Sequence, residues 1–229
     1  MIVLGMDTSG YANAVGVADG DKVLADFNLE ARTDSLEKIV ANIDFALKSA
    51  GLALDDVEGI GVGLGPGSWT GIRVGVTVGK MLAFSLGKPV AGIPTLEALA
   101  YAAGDTSHLI CSVISVGAGN AVYAGLYHFR DSEIVRQGEY YVGDINGLTV
   151  LLDEPCVIVG TGVSQFTESI SRDNDMEVIG LEKQPSGVAV AALAERRLAG
   201  GSGDNALALT PLYLKESTAK VFVNKYKTG

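Results

Sequence analysis

The sequence predicts an α/β protein of two lobes, each built on a mixed sheet, with the second lobe repeating the order of elements in the first. Two observations carry this. Each half opens with three strand-like runs joined by hairpin-length links and then alternates helix and strand, the pattern of a duplicated unit. The 229 residues are 48% apolar, enough to bury a core in one large domain or in two lobes of roughly 100 residues each. A chain so apolar is not intrinsically disordered. With 17 Lys+Arg against 27 Asp+Glu the net charge is −10, which argues against unaided nucleic-acid binding, because phosphate contacts need a concentrated cationic surface.

The first half begins as three short strands. Residues 2–6 are a compact apolar run, 12–17 are rich in small and β-branched residues, and Gly20-Asp21 offers a turn into 22–28. A helix is expected over 34–50. Asp34 with Glu37 makes a capping-box pattern, Leu36, Ile39, Val40, Ile43, Leu47 and Ala50 recur at helical spacing, and Gly51 is placed to end it. Residues 59–64 (GIGVGL) then form a short buried strand. Residues 70–86 admit two readings. Val74, Val76 and Val78 alternate with smaller residues as in a strand, whereas Gly71, Gly75 and Gly79 fall every fourth residue as one bare stripe of a helix. The length of the run, Ser68 and Thr70 as N-cap residues, and Gly87 at its end favour the helix. A strand at 89–93 and a short helix from Thr95 complete a first lobe, residues 1–103.

Gly104-Asp105-Thr106-Ser107 marks the expected boundary, with residues 104–214 as the second lobe. Strand-like runs at 109–116, 121–129 and 133–142 precede a helix around 145–152 and a strand at 156–159 that ends in Gly160-Thr161-Gly162. A further helix, a strand near 177–179 and a small-faced, close-packing helix at 188–198 follow. Pro211-Leu212-Tyr213-Leu214 leads into a basic tail, residues 215–229, with Lys215, Lys220, Lys225 and Lys227. That tail reads as frayed and solvated, or else as reaching toward nucleic acid or an acidic partner.

Cys111 and Cys156, each beside apolar neighbours, read as buried thiols in a reducing compartment rather than as a disulfide. The opening residues lack the basic region of a secretory signal. The most apolar later stretch, 72–86, is too short and too charged to span a bilayer, with Lys80 inside it and Arg73 near its start. The expected location is the cytoplasm, with no membrane contact.

The most distinctive stretch holds Gly65, Pro66, Gly67, Ser68, Trp69, Thr70 and Arg73. A strand ends at Leu64 and a helix begins near Thr70; the glycines allow a sharp reversal and Pro66 fixes one dihedral of it. Free amides at the helix start suit an anion, yet no Lys follows the glycines, so the Walker pattern fails. Two readings remain, a phosphate loop and a tight strand-to-helix corner. His108 and His128 lie twenty residues apart and assemble no metal triad, and neither is placed by sequence beside Ser68 as a catalytic base. No catalytic residue, metal ligand or cofactor is expected, and a protease reading fails for the same lack of ligands.

GLGPGSWTGIRVG resembles the GxGPGSFTGxRxG signature of the TsaB (YeaZ) family, with Trp69 where the family commonly has Phe. The opening residues are similar to the family's first hairpins, with Asp7-Thr8-Ser9 after strand one, and Gly92-Ile93-Pro94-Thr95-Leu96 and Pro211-Leu212-Tyr213-Leu214 match as well. The specific resemblance covers the first half; beyond it, the order of elements is shared. It implies the two-lobed fold of the actin, hexokinase and Hsp70 ATPases, a ribonuclease H-like duplicated sheet. It also implies a non-catalytic role as the partner of TsaD, which transfers threonylcarbamoyl to adenosine 37 of tRNAs reading ANN codons. TsaE, an ATPase, would join through the TsaD complex, and tRNA would be met only through that complex.

Asp7, Thr8 and Ser9 correspond to the first phosphate loop of the superfamily, and Gly160 and Gly162 to a loop that could meet adenosine. These are either vestigial nucleotide loops or plain turns. Val116, Gly117 and Ala118 stand where many members have Asp-Ala-Arg, and Ala121 where Glu is common, which weakens any claim of nucleotide hydrolysis. The family pairs through helices of the first lobe. The expected partner face comprises Gly71, Val74, Gly75, Val78, Gly79 and Leu82 on one helix and Leu36, Ile39 and Ile43 on the other. The same glycines would serve equally well to bring the helix against the protein's own sheet. Alone, such a face would pair with itself in a homodimer. The alternative function is an ATP-dependent small-molecule kinase of the same superfamily.

Overall fold

The computed structural model describes residues 1–30, 38–117, 119–130, 133–164, 166–167 and 177–215. Two five-stranded sheets share one plan. In the first, β1 (Ile2–Asp7), β2 (Ala12–Asp19) and β3 (Lys22–Glu30) form an antiparallel meander, and β4 (Gly59–Gly63) and β5 (Val90–Ile93) extend it in parallel beyond β1, in the order β3-β2-β1-β4-β5. The second repeats this with β6 (Leu109–Ser115), β7 (Ala121–Arg130), β8 (Glu133–Asp144), β9 (Cys156–Gly160) and β10 (Val178–Glu182), in the order β10-β9-β6-β7-β8. Strands β4, β5 and β9 are buried along their whole length, as parallel strands covered on both faces must be.

The helices are α1 (Ile39–Ser49), α2 (Trp69–Leu86), α3 (Thr95–Ala102), α4 (Ile145–Thr149) and α5 (Gly187–Ala199). On the outer face of the first sheet, Ile39, Ile43 and Leu47 of α1 and Ile72, Val76 and Ala83 of α2 pack onto Leu4, Met6, Val15, Ile60 and Val62. Its inner face carries α5, whose Ala189, Val190, Leu193 and Ala194 meet Val3, Ala18, Ala91 and Ile93. The second sheet is lined on its inner face by Leu96, Leu99 and Ala100 of α3 and on its outer face by Ile145 and Leu148 of α4. Residues 70–86 are thus helical, capped by the Ser68 hydroxyl accepting from the Gly71 amide at 3.3 Å and ended by Gly87 at φ 61°.

The spatial lobes depart from the expected split at residue 104. Helix α3 precedes that point yet packs on the second sheet, and α5 lies beyond it yet packs on the first. The chain then stays with the first sheet: the Asp204 amide donates to Val90 at 2.7 Å and the Leu212 amide to Leu64 at 2.9 Å. The reason is steric. Gly5, Gly16 and Gly187 bring backbone against backbone, and a Cβ at Gly187 would strike the Gly16 amide, so only this small-faced helix fits so close to that sheet. The expected start of α1, with Asp34, Leu36 and Glu37, lies outside the described residues, as do Ala118 and residues 216–229 of the tail. Cys111 and Cys156 are free and buried, and burial lifts both thiols, Cys156 to about 11. Among the described residues no helix is long and apolar enough to cross a membrane.

Candidate functional site

Three parts of the chain meet at the strand-to-helix corner. Asp7 ends β1 with no exposure to solvent. Its Oδ1 accepts from the Ser9 amide at 2.8 Å and its Oδ2 from the Thr95 hydroxyl at 2.7 Å. Thr95 Oγ1 also accepts from the Gly65 amide at 3.1 Å and lies 3.2 Å from Ser9 Oγ. Thr8 donates to the Gly71 carbonyl at 2.7 Å, and the Ser68 amide to the Ser9 carbonyl at 2.7 Å. Burial raises the Asp7 pKa, while the Ser9 and Thr95 hydrogen bonds pull it back. Gly65 and Gly67 adopt φ of 90° and 153° around the buried Pro66, which turns the chain into α2.

This arrangement favours the tight-corner reading, since two of the corner's amides, those of Ser68 and Gly71, are already given to the Ser9 carbonyl and the Ser68 hydroxyl. It also draws the Asp7 carboxylate into a hydrogen-bonded interior, where both oxygens are used. Among the described residues no group of three His, Cys, Asp or Glu side chains could hold a metal ion. His108 shares a contact with Thr106, and His128 lies 2.7 Å from Gln137.

The glycine stripe of α2 faces inward, which corrects its expected place in a partner face. A Cβ at Gly71 would strike the Thr8 carbonyl, one at Gly75 the Thr8 hydroxyl, and one at Gly79 the Val62 side chain. Ile39 and Ile43 are likewise core residues, buried to 2% and 4%. The glycines exist to seat α2 on its own loop and strand. Val74, Val78 and Leu82 are half-buried at the edge of that core, and beyond them stand side chains that the expected partner face did not include. Met81 is 59% and Phe84 64% exposed, and on α1 Val40 is 62% exposed and Phe45 also open.

On the side away from the core, α2 thus exposes Trp69, Met81 and Phe84 among Thr70, Arg73, Thr77 and Ser85. On its flank toward β5, Lys80 Nζ caps the carbonyls of Leu207 and Leu209 at 3.0 and 2.9 Å, and Arg73 Nε donates to the Tyr213 hydroxyl at 3.1 Å. Helical geometry puts Val74, Val78, Met81 and Leu82 on the other flank, on the α1 side. At the start of α2 the Trp69 ring lies 4.3 Å from the Tyr213 ring with the Arg73 guanidinium 4.3 Å from its centroid. The exposed Thr70 completes this corner.

Between the lobes lies a cleft of about 350 Å³, lined by Thr8, Ser9 and Ser68 on one side and Ser115, Tyr123 and Thr161 on the other. No charged side chain lines it among the described residues. Val116 and Gly117 sit on its wall. The Gly160–Gly162 turn carries its own anion, because the amides of Gly162 and Val163 both donate to the Glu182 carboxylate at 2.8 Å. Glu182 was not legible as part of this loop, since only the pairing of β10 with β9 brings it there.

The family described as "TsaD: tRNA N6-adenosine threonylcarbamoyltransferase" matches residues 29–150. The chain is similar to the "tRNA threonylcarbamoyladenosine biosynthesis protein TsaB" of Haemophilus influenzae, at 29% identity with 94% of each chain covered. It is also similar to the protein of the same name from Bacillus subtilis, at 28% identity over 74% of this chain and 75% of that one. Among solved structures, YeaZ from Pseudomonas aeruginosa superposes with a TM-score of 0.79 at 25% identity, covering 93% of this chain and 99% of that one. A ROK hexokinase from Thermus thermophilus, at TM-score 0.53 and 16% identity over 86% of this chain and all of that one, shares the actin- and hexokinase-like fold alone.

Proposed function

This chain belongs to the TsaD-like family, on its TsaB (YeaZ) branch, and from that premise we propose that it is the non-catalytic partner of TsaD in threonylcarbamoylation of tRNA adenosine 37. The observation that carries the reading is the outward apolar face of α1 and α2, with Val40, Phe45, Met81 and Phe84 open and Val74, Val78 and Leu82 half-buried beside them. Large apolar side chains left in water on two helices of one sheet face want cover, and TsaD is the cover. The site moves from the glycines of α2 to the residues that face away from them. TsaE joins through TsaD, and tRNAs reading ANN codons are met through the complex, in keeping with the net charge of −10. At high concentration the same face pairs with a second copy of the chain.

The kinase alternative finds little support. A phosphoryl-transfer site holds Mg²⁺ by carboxylates and neutralises phosphate with cations. Here Asp7 turns into the interior, and the cleft wall is uncharged among the described residues. The test is tRNA modification by TsaD and TsaE with and without this chain, using the wild type and Met81→Asp. Modification is expected only with the wild-type chain present. Full activity from TsaD and TsaE alone would refute the reading.

A further inference from the structure

Partnership through α1 and α2 makes no use of the cleft between the lobes, yet this cleft is a built cavity of about 350 Å³, a size that small-molecule sites occupy. We propose that it binds an uncharged glycoside, a sugar ring joined to a planar or apolar group as in a nucleoside, and that it turns away the phosphorylated form.

The hydrogen-bonding groups carry the argument. In the first lobe, Thr95 gives its proton to Asp7 at 2.7 Å. Across the 3.2 Å contact Ser9 therefore donates to Thr95, and its oxygen lone pairs stay available to a ligand. Ser68 Oγ accepts from the Gly71 amide at 3.3 Å, which leaves its proton to give. The second lobe repeats the pairing. Ser115 Oγ donates to the Thr161 carbonyl at 2.8 Å and remains an acceptor, while Thr161 Oγ1 accepts from the Ser115 amide at 3.1 Å and remains a donor. All four residues line the cleft, so each wall sets a neutral donor beside a neutral acceptor. An anion needs donors alone and a cation acceptors alone. A hydroxyl group needs both, and a sugar ring carries several.

The rest of the lining favours more than a bare sugar. Ile114, Val116, Pro185 and the Tyr123 ring supply an apolar and aromatic surface for the attached group. Charge sets the limit. An adjoining hollow shares Tyr11, Ser115 and Thr161 with the cleft and has Glu182 in its wall. That carboxylate already holds the amides of Gly162 and Val163. Among the described residues no cationic side chain lines either space, so a phosphate would meet a like charge and find no counter-charge. A ligand held by both walls ties the lobes together and raises the melting temperature.

The test titrates the full chain, without TsaD, with adenosine, uridine and phenyl β-D-glucoside, and with ribose, AMP, UMP and the 6-phosphate of the glucoside as contrasts. Backbone amide NMR shifts and thermal melts are the readouts. At least one of the three glycosides is expected to half-saturate below about 1 mM and to move the Gly10 and Gly117 amides, which line the cleft. Ribose, and the phosphate of whichever glycoside binds, should bind about tenfold more weakly or worse. Tyr11→Ala, at a residue 79% exposed, and Tyr123→Phe, which keeps the ring, should each weaken binding several-fold. Saturation by none of the three overturns the proposal, and so does equal affinity for a glycoside and its phosphate. Shifts confined to α1 and α2, or binding indifferent to both substitutions, put the ligand elsewhere and overturn it too. TsaD is absent from every arm, so failure of the partner reading leaves these outcomes unaltered.

Discussion

The two lobes share a strand order but differ in what they lay over the outer face of the sheet. The first carries helices of 11 and 18 residues, and it exposes apolar side chains on the surface of both. The counterpart of α1 in the second lobe is α4, of five residues. Beside α4 the second lobe exposes Val150 and Leu151 in turn, so among the described residues the contrast lies in the length of the helices. The loops differ less. In both lobes a carboxylate is satisfied by nearby donors: Asp7 by the Ser9 amide and the Thr95 hydroxyl in the first, Glu182 by the Gly162 and Val163 amides in the second. A cleft that neutralises its own loops this way has little left to offer a phosphate.

Substitutions can break this contrast. The largest effect is expected from Gly75→Leu, because any side chain there meets Thr8. It should destabilise the isolated chain by about 3 kcal/mol, read from urea melts, and lose partner binding only as a consequence. An unchanged melt would show that α2 can slide without loss. Asp7→Ala, which leaves the Thr95 hydroxyl and the Ser9 amide buried without their acceptor, should cost about 2–3 kcal/mol in the same assay. Met81→Asp with Phe84→Asp should weaken TsaD binding tenfold or more, about 1.4 kcal/mol. The melt of the lone chain should stay within about 0.5 kcal/mol. The reverse pattern would make these residues structural. In the second lobe, Glu182→Gln keeps one acceptor for two amides and should cost about 1 kcal/mol.

The gentlest test is pH. Burial raises the Asp7 pKa in the folded state, so between the unfolded value near 4 and the raised one the folded chain binds more protons. Its stability therefore falls as pH rises through that window, and the contribution is greatest below it. Burial raises Asp26 and Glu97 as well, with the same sign. Asp7→Asn, which cannot ionise, should flatten part of the decline in the urea midpoint across that range. A profile parallel to wild type would show that Asp7 is not its source.

The elements themselves were legible because apolar runs are separated by glycine and proline breakers, and the duplicated order followed from them. The glycine stripe was legible as a place of close approach, but not the identity of what approaches. Thr8 fills it from more than sixty residues away, and no local pattern carries that information. Met81 and Phe84 left only a faint signal, because on the side opposite the glycines they stand among Thr70, Arg73 and Thr77. The small face of α5 announced tight packing without telling which sheet would receive it. Glu182 reaches its loop only through strand pairing, which composition does not encode.

The exchange of α3 and α5 has a consequence for dissection. Each sheet borrows its inner seal from the other end of the polypeptide, like two hands holding each other's wrists. Cutting the chain at Gly104 would strip both halves at once, and neither fragment would hold its shape without the other. Any attempt to isolate the first lobe must therefore carry the closing helix along, grafted or supplied in trans.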